Sequence, residues 1–460
     1  MSSFSGISTV SSTAFTPASY LVHSIDLTNH AGRVIDIKMV VTDFVITESI
    51  YMTSVTAKFS IQDSVNLFEE MQLIGQETIQ IKLFRQDNII NAFLKSINLT
   101  FFVTEYPLYG RADGKQHMQV YTITGISEHA YVSQFKVISR AVTGLTSTLI
   151  QKILENDLLV PAKKISIIGD PISQFQGIIP NMKPLNAIEW LRRRTYDKDG
   201  SPFYIFQTVT RGIILQSLSS MLKQSTNPLY ATYTDSKGYT ETPISDKDYA
   251  QQASRILEVT STLKLSKILG GMNGAYASSN HYLDISTKSY KVKFFDYNKH
   301  FNSKNTLQGN PILSNTFKIH EYGNNSEKVS LNQMVQASEE FIPLNVIAYS
   351  PDGNINNYQG MSRDFLDKAN AFQENMETYI HDIHLMGDYT LNAGCRIKLQ
   401  FPKAEDPSVK KIGAEIQDTE RYDSTFTGFY LAVSVVHKFG DDGYYCDVRV
   451  KRDSLSFKLS

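Results

Sequence analysis

The feature that most constrains this chain is an apolar/polar alternation with a period of two, which appears early in the sequence and returns at its end. Near the C-terminus, Leu431, Val433 and Val435 alternate up to His437, Gly440-Asp441-Asp442-Gly443 supplies a turn, and Tyr444, Cys446, Val448 and Val450 alternate away again. Successive strand residues point to opposite faces, so this stretch reads as a β-hairpin with one face on a core. The same period runs through Val55, Ala57, Phe59 and Ile61, through Ile79, Ile81 and Leu83, through Leu99, Phe101 and Val103, and through Tyr121, Ile123 and Gly125. Gly75, Arg85-Gln86-Asp87-Asn88 and Gly110 to Gly114 punctuate these runs, which predicts the short antiparallel strands of a barrel or sandwich.

At 460 residues, 42% of them apolar, with 25 Phe and 25 Tyr, the chain can bury several cores and is not a disordered polypeptide. Residues 1–22 are Ser/Thr-rich, include Pro17 and are expected to form a flexible arm; 23–130 form a first β-barrel. Helical spacing at Leu149, Ile150, Ile153 and Leu154 after Thr146 or Ser147, a helix opened by Pro184 with Leu185, Ile188 and Leu191 on one stripe, and a hairpin of Phe203–Phe206 and Ile213–Leu215 make 131–250 an α/β domain. It carries a polar loop at 221–250. Strand patterning at Ile256–Leu265 and Tyr282–Ile285, then at Tyr389–Leu391, Arg396–Leu399 and the final hairpin, assigns 251–290 and 378–456 to a second barrel. An inserted mixed domain at 291–377 is expected to hold helices near Ser330–Glu340 and Ser362–Glu377. The fold class is therefore mainly β with α/β insertions.

Lysines and arginines (45) nearly cancel aspartates and glutamates (46), which removes the basic excess of a dedicated nucleic-acid binder. Two cysteines, Cys395 and Cys446, cannot make a disulfide framework or a four-thiolate zinc site; they read as buried free thiols on alternating strands. The N-terminal residues have neither a basic region nor an apolar core of the secretory type, and no stretch approaches the ~18 apolar residues of a membrane span. No export signal and no membrane insertion are expected.

Sites of chemistry are sought in constellations, and each candidate has a plain structural reading. His381-Asp382-Ile383-His384 would place two imidazoles on one side of a helix, but the segment reads as strand, where positions three apart diverge. Gly110-Arg111-Ala112-Asp113-Gly114-Lys115 is one residue short of a phosphate loop and is followed by Gln116 instead of Ser or Thr, so it reads as a hairpin loop. Glu69-Glu70 and Glu339-Glu340 are adjacent pairs without an apolar pocket and read as solvated faces. Arg192-Arg193-Arg194 suits a helix C-terminus. No catalytic, cofactor-binding or metal-ligating residue is assigned, no cofactor is expected, and the chain reads as a non-enzyme whose partner-binding residues stay unknown.

Several motifs, taken in order, resemble the baseplate hub family of T4-like contractile-tail bacteriophages. They are Glu48-Ser49-Ile50-Tyr51, a strand ending at Phe59, Asp63-Ser64 and Gly75-Gln76-Glu77-Thr78-Ile79; then Ile179-Pro180, the Pro184 helix and the Phe203–Phe206 hairpin. Gly387-Asp388-Tyr389-Thr390-Leu391, Gly394-Cys395-Arg396-Ile397 and Tyr430–His437 complete the set, over about two thirds of the chain. The resemblance implies two tail-tube-like barrels per chain and a homotrimer presenting 3 × 2 = 6 barrels, which joins a six-fold tail tube or tube-initiator protein to a three-fold central spike. It also implies a channel through which genomic DNA passes without specific binding, a place in the virion baseplate after assembly in the host cytoplasm, and a structural role for His437. The arm, 221–250 and about 291–374 depart from the family. The alternatives are a receptor- or glycan-binding tail protein, which would suit the aromatic content, and a cell-wall hydrolase.

Overall fold

The computed structural model describes residues 20–86, 93–111, 118–225, 228–231, 254–320, 328–335, 339–346, 358–403 and 422–459. The chain is mainly β with α/β insertions. In chain order the strands are β1 (Leu21–Thr28), β2 (Val34–Asp36), β3 (Val41–Ser49), β4 (Thr56–Asp63), β5 (Thr78–Gln86), β6 (Phe93–Arg111) and β7 (Gln119–Ser127). The α/β insertion adds β8 (Ile138–Leu145), β9 (Ile165–Ile168), β10 (Gln174–Met182), β11 (Phe203–Thr208) and β12 (Gly212–Ser217). Then come β13 (Leu229–Ala231), β14 (Ile256–Leu263), β15 (Ala277–Asp284), β16 (Ser289–Asp296), β17 (Lys318–His320), β18 (Lys328–Ser330) and β19 (Glu339–Leu344). The last are β20 (Tyr379–Met386), β21 (Arg396–Gln400), β22 (Gly428–Gly440) and β23 (Gly443–Arg452).

Thirteen of these strands form one sheet in the order β14-β20-β23-β22-β3-β4-β7-β6-β5-β1-β2, with β21 and β13 branching from β22. The early and late strand blocks are fused where β22 pairs antiparallel with β3, from Ser434 opposite Ser49 to Phe439 opposite Phe44. Alternation drives this packing. Phe44, Phe59, Ile61, Ile81, Tyr121, Val435, Cys446, Val448 and Val450 are all buried in one apolar cluster that runs through both blocks. Phe439 stacks on Phe44 at 4.5 Å and on Tyr444 at 4.4 Å, so the seam is an aromatic column beneath paired backbones.

The strand β22 departs from simple alternation. A register shift between Ala432 and Ser434 marks a bulge at Val433, which turns Leu431 and Val433 away from the main cluster. They pack instead with Ile50, Phe206, Ile214 and Leu218 of a second core. The β11–β12 hairpin is thereby covered on both faces, since Phe203, Ile205 and Leu215 belong to the core of the α/β insertion with Ile150, Leu154, Ile188 and Leu191. That is why Phe203–Phe206 and Ile213–Leu215 read as continuous apolar runs.

Four expectations are corrected. The strand at Tyr282–Ile285 is β15, which pairs with β16 and β19 in a separate three-stranded sheet; of 251–290 only β14 joins the large sheet. A period of two identifies a strand but not its partner. In place of a helix at Ser330–Glu340 there is one 3₁₀ turn, Leu331–Gln333, started by a capping box of Ser330 and Gln333, and then strand β19. Tyr389–Leu391 is a turn, because Asp388 accepts from the Thr390 N–H at 2.7 Å and its hydroxyl at 2.6 Å and ends the chain's run as β20 at Met386. The expected arm shortens too: Leu21 and Val22 already lie in β1, and the Tyr20 hydroxyl donates to the Gly440 carbonyl at 3.0 Å. Residues 1–19 and 232–250 of the arm and polar loop, and Ala112–His117 of the glycine loop, fall outside the described residues. The strands flanking that loop pair antiparallel.

Candidate functional site: the seam and the polar face of the shared sheet

The seam is held by a buried carboxylate. Glu48, at the end of β3, is fully buried and accepts the Val209 N–H at 2.7 Å and the Ala393 N–H at 2.6 Å. One side chain thus ties β3, the β11–β12 turn and the loop before β21 together. Opposite it, 3.8 Å away, lies His437, whose Nδ1 faces the Tyr444 hydroxyl at 2.8 Å and the Cys446 thiol at 3.5 Å. Burial pulls the His437 imidazole down, but Cys446 and Glu48 outweigh it and raise the group above its ordinary value. Around this pair Ser49 donates its hydroxyl to the Val433 carbonyl at 3.1 Å, the Ile50 N–H donates to the same carbonyl at 2.9 Å, and the Gly394 N–H donates to Ala432 at 2.8 Å. Gly394 has φ 82° and packs against Phe206, a place where a side chain would be both strained and crowded.

A thiol, an imidazole and a carboxylate in line have the composition of a nucleophilic triad. Cys446 and Glu48 are wholly buried and His437 nearly so, which leaves no approach for a substrate. The arrangement locks two strand blocks.

The other face of the sheet is polar and hollow. Glu258 and Thr260 of β14, Asp382 and His384 of β20, Arg449 and Asp447 of β23, and Ser434 and Lys438 of β22 line a depression of about 540 Å³. It continues across the seam past Asp43 and Val45 of β3. The charges of β20, β22 and β23 are matched in place: Arg449 grips Asp382 with two hydrogen bonds at 2.7 and 3.0 Å, while Asp447 takes His384 at 2.6 Å and also Lys438. Burial would raise the Asp447 carboxyl, yet Lys438 and His384 hold it below its ordinary value.

The sequence-level candidates disperse. His381 points into the core, with Ser261 Oγ 2.7 Å from Nδ1 and Tyr430 OH 3.1 Å from Nε2, whereas His384 faces the polar hollow. Arg192 binds Glu189 and the Phe203 carbonyl, Arg193 binds Glu189, and Arg194 stacks on Trp190 at 4.0 Å. Glu70 pairs with Arg33 and Glu339 with His281. Cys395 accepts a hydrogen bond from Arg211 at 3.0 Å, and burial pushes its thiol up. Among the described residues no three His, Cys, Asp or Glu side chains gather as a metal site. The role of Glu48 and the ion-paired hollow were not read from the sequence; a charged residue inside an otherwise alternating strand was the available signal for the first.

No protein-family model matches the chain, and no curated protein does. Similar solved structures include a tail protein from Neisseria meningitidis MC58, at 9% identity and TM-score 0.49 over 96% of this chain and 100% of that one. The 43 kDa tail protein of prophage MuSo2 from Shewanella oneidensis aligns at 10% identity and TM-score 0.48 over 94% and 98%. An E. coli type VI secretion component, described as structurally similar to tail proteins of bacteriophage T4, aligns at 8% and TM-score 0.44 over 96% and 78%.

Proposed function

We propose that the chain is a structural baseplate hub of a contractile tail, a homotrimer that joins a six-fold tail tube or tube-initiator protein to a three-fold central spike and leaves a passage for genomic DNA. The observation that carries this reading is the eight-strand run β14-β20-β23-β22-β3-β4-β7-β6, in which every neighbour is antiparallel, β14 is an open edge and β6, paired with β5 up to Phe102, is open along its later part. Among the described residues β14 pairs only with β20, and β6 beyond Val103 pairs only with β7. Pro107 lies in that stretch of β6, where a missing N–H is tolerated because the edge is unpaired.

An even number of strands lets the open β6 edge of one copy meet the open β14 edge of the next and keep the alternation. Each block contributes one four-stranded unit, two per chain, which makes six such units in three copies. Such a closed ring covers the β14 edge and the free part of the β6 edge in every copy. Its 24 strands at about 4.8 Å spacing span roughly 37 Å between backbones before strand tilt widens it, room for a nucleic-acid duplex along the hollow polar face. The residues with chemical potential are engaged at the seam and in ion pairs, which favours a geometric role over turnover. In this reading the protein resides in the virion baseplate after assembly in the host cytoplasm.

The test is the native mass and a low-resolution image of the purified protein with its spike partner. A three-fold ring with a central hole is expected. A dimer, a tetramer or an unringed monomer overturns the reading.

A further inference from the structure

Away from the seam, residues 295–306, the helix Tyr358–Asn375, the Lys198-Asp199 turn and Asp453 enclose a cavity of about 180 Å³. Phe295, Tyr297, Phe301 and Phe372 supply aromatic walls, and the small side chain of Ala371 lines it as well. An apolar cavity of roughly 150 Å³ accommodates one benzene ring, so this space takes a single ring with a few further atoms and excludes a drug-sized ligand. On its wall stands Asn375, 5% exposed, whose Oδ1 has no hydrogen-bond partner among the described residues. Buried polar atoms are paired almost without exception, so an unpaired acceptor beside a cavity marks where a donor arrives.

The charges of the lining are uneven. Asp199 is taken by Lys223 at 3.2 Å, and Asp453 accepts the Leu307 N–H at 3.1 Å and the Ser454 hydroxyl at 2.8 Å. Lys198 pairs loosely with Asp170 at 3.3 Å on the exposed side. Among the described residues Lys368 makes no ion pair; its ammonium lies over the Phe365 ring at 5.5 Å. The pocket therefore offers aromatic walls, one acceptor without a donor and one cation without an anion.

We propose that this cavity binds a phenol ring carried on a short chain that ends in a carboxylate. The ring enters between the phenylalanines, its hydroxyl donates to Asn375 Oδ1, and the carboxylate meets Lys368 at the rim. A free hydroxyaryl acid and a tyrosine at the C-terminus of a partner chain share this chemistry. The site stands independently of the hub reading, since it uses none of the sheet edges.

Full-length protein is titrated with 3-(4-hydroxyphenyl)propionate and with 3-phenylpropionate, following ligand NMR line widths and the shift in Tm. Saturable binding is expected, with the hydroxyl-free analogue about fivefold weaker for one lost hydrogen bond. Asn375→Leu should erase that preference, Lys368→Gln should weaken both probes severalfold, and Ala371→Phe should fill the space and abolish binding. If Ala371→Phe does not fold, the first two variants decide. A hexapeptide ending in Tyr is compared with its C-terminal amide: tight binding of the free-acid peptide alone assigns the site to a partner's C-terminus, while binding of the small acid alone assigns it to a metabolite. Absence of saturable binding, or binding unchanged in both Asn375→Leu and Lys368→Gln, leaves a water-filled cavity only and overturns the proposal.

Discussion

Neighbouring residues on one strand have opposite duties in β23. Val448 is buried against the main core, so Val448→Asp places a carboxylate where nothing can pair with it, at a cost of several kcal/mol against a total stability of about 5–15 kcal/mol. Arg449 faces the hollow and holds Asp382, an exposed pair worth about 0.2–1 kcal/mol. Arg449→Gln is therefore expected to fold with nearly the original Tm, whereas Arg449→Asp sets two carboxylates against each other and falls between. Thermal unfolding of the three variants checks this order; Val448→Asp unfolding at the wild-type temperature would mean that the burial is misassigned. His381 supplies a pH signature. Burial first, and the nearby Arg452 second, lower its imidazole from 6.5 to about 4. The unfolded chain then takes up a proton before the folded one does, so this contribution is whole above pH 6.5 and is lost as the pH falls toward 4. His381→Gln should lower Tm at pH 7.5 but flatten its decline between pH 6.5 and 4. Parallel curves for the two proteins would refute the assignment.

Among the elements, the final hairpin was legible because Tyr444, Cys446, Val448 and Val450 alternate without interruption, and all four are buried. The bulge at Val433 was not, because Leu431 and Val433 continue the apolar pattern while the backbone shifts them to another core. Partner choice was also hidden: β14 and β15 both carry strand patterning, yet one completes the large sheet and the other starts a separate one. The motifs of the family resemblance fared better than their scatter suggests, since Glu48, Ser49, Ile50, Phe206, Gly394, Val433 and His437 converge at the seam. Long-range contacts of this kind leave no local pattern in a single sequence. The same view of elements yields a prediction for β14, whose Val259 and Leu263 are 36% and 41% exposed on an open edge. Edge strands are blunted by lysine, so Val259→Lys with Leu263→Lys should reduce the native mass to one chain while far-UV circular dichroism and Tm stay near the original values. An assembly of unchanged mass would show that the contact between copies lies elsewhere.

For the whole molecule, the hollow face decides how an enclosed nucleic acid would be treated. Protein affinity for a phosphate backbone comes mainly from cations that displace counterions, and a wall rich in free lysine or arginine would hold the strand it is meant to pass. Here Arg449 is neutralised by Asp382, and Lys438 and His384 share Asp447, so these side chains of β20, β22 and β23 carry charge without offering it. In the proposed hub, passage without specific binding would follow from this pairing more than from the near-zero net charge of the chain. Asp382→Asn together with Asp447→Asn keeps side-chain size and frees Arg449 and Lys438, two cations per chain and six in the proposed trimer. Wild-type protein is expected to flow through a duplex-DNA column at about 0.1 M salt, and the double variant to be retained and released by salt, with a slope of log affinity on log salt of about −0.9 for each phosphate neutralised. Retention of the wild type with a comparable slope would mean that unpaired cations elsewhere dominate, and that the matched pairs of β20, β22 and β23 do not set the behaviour of the channel wall.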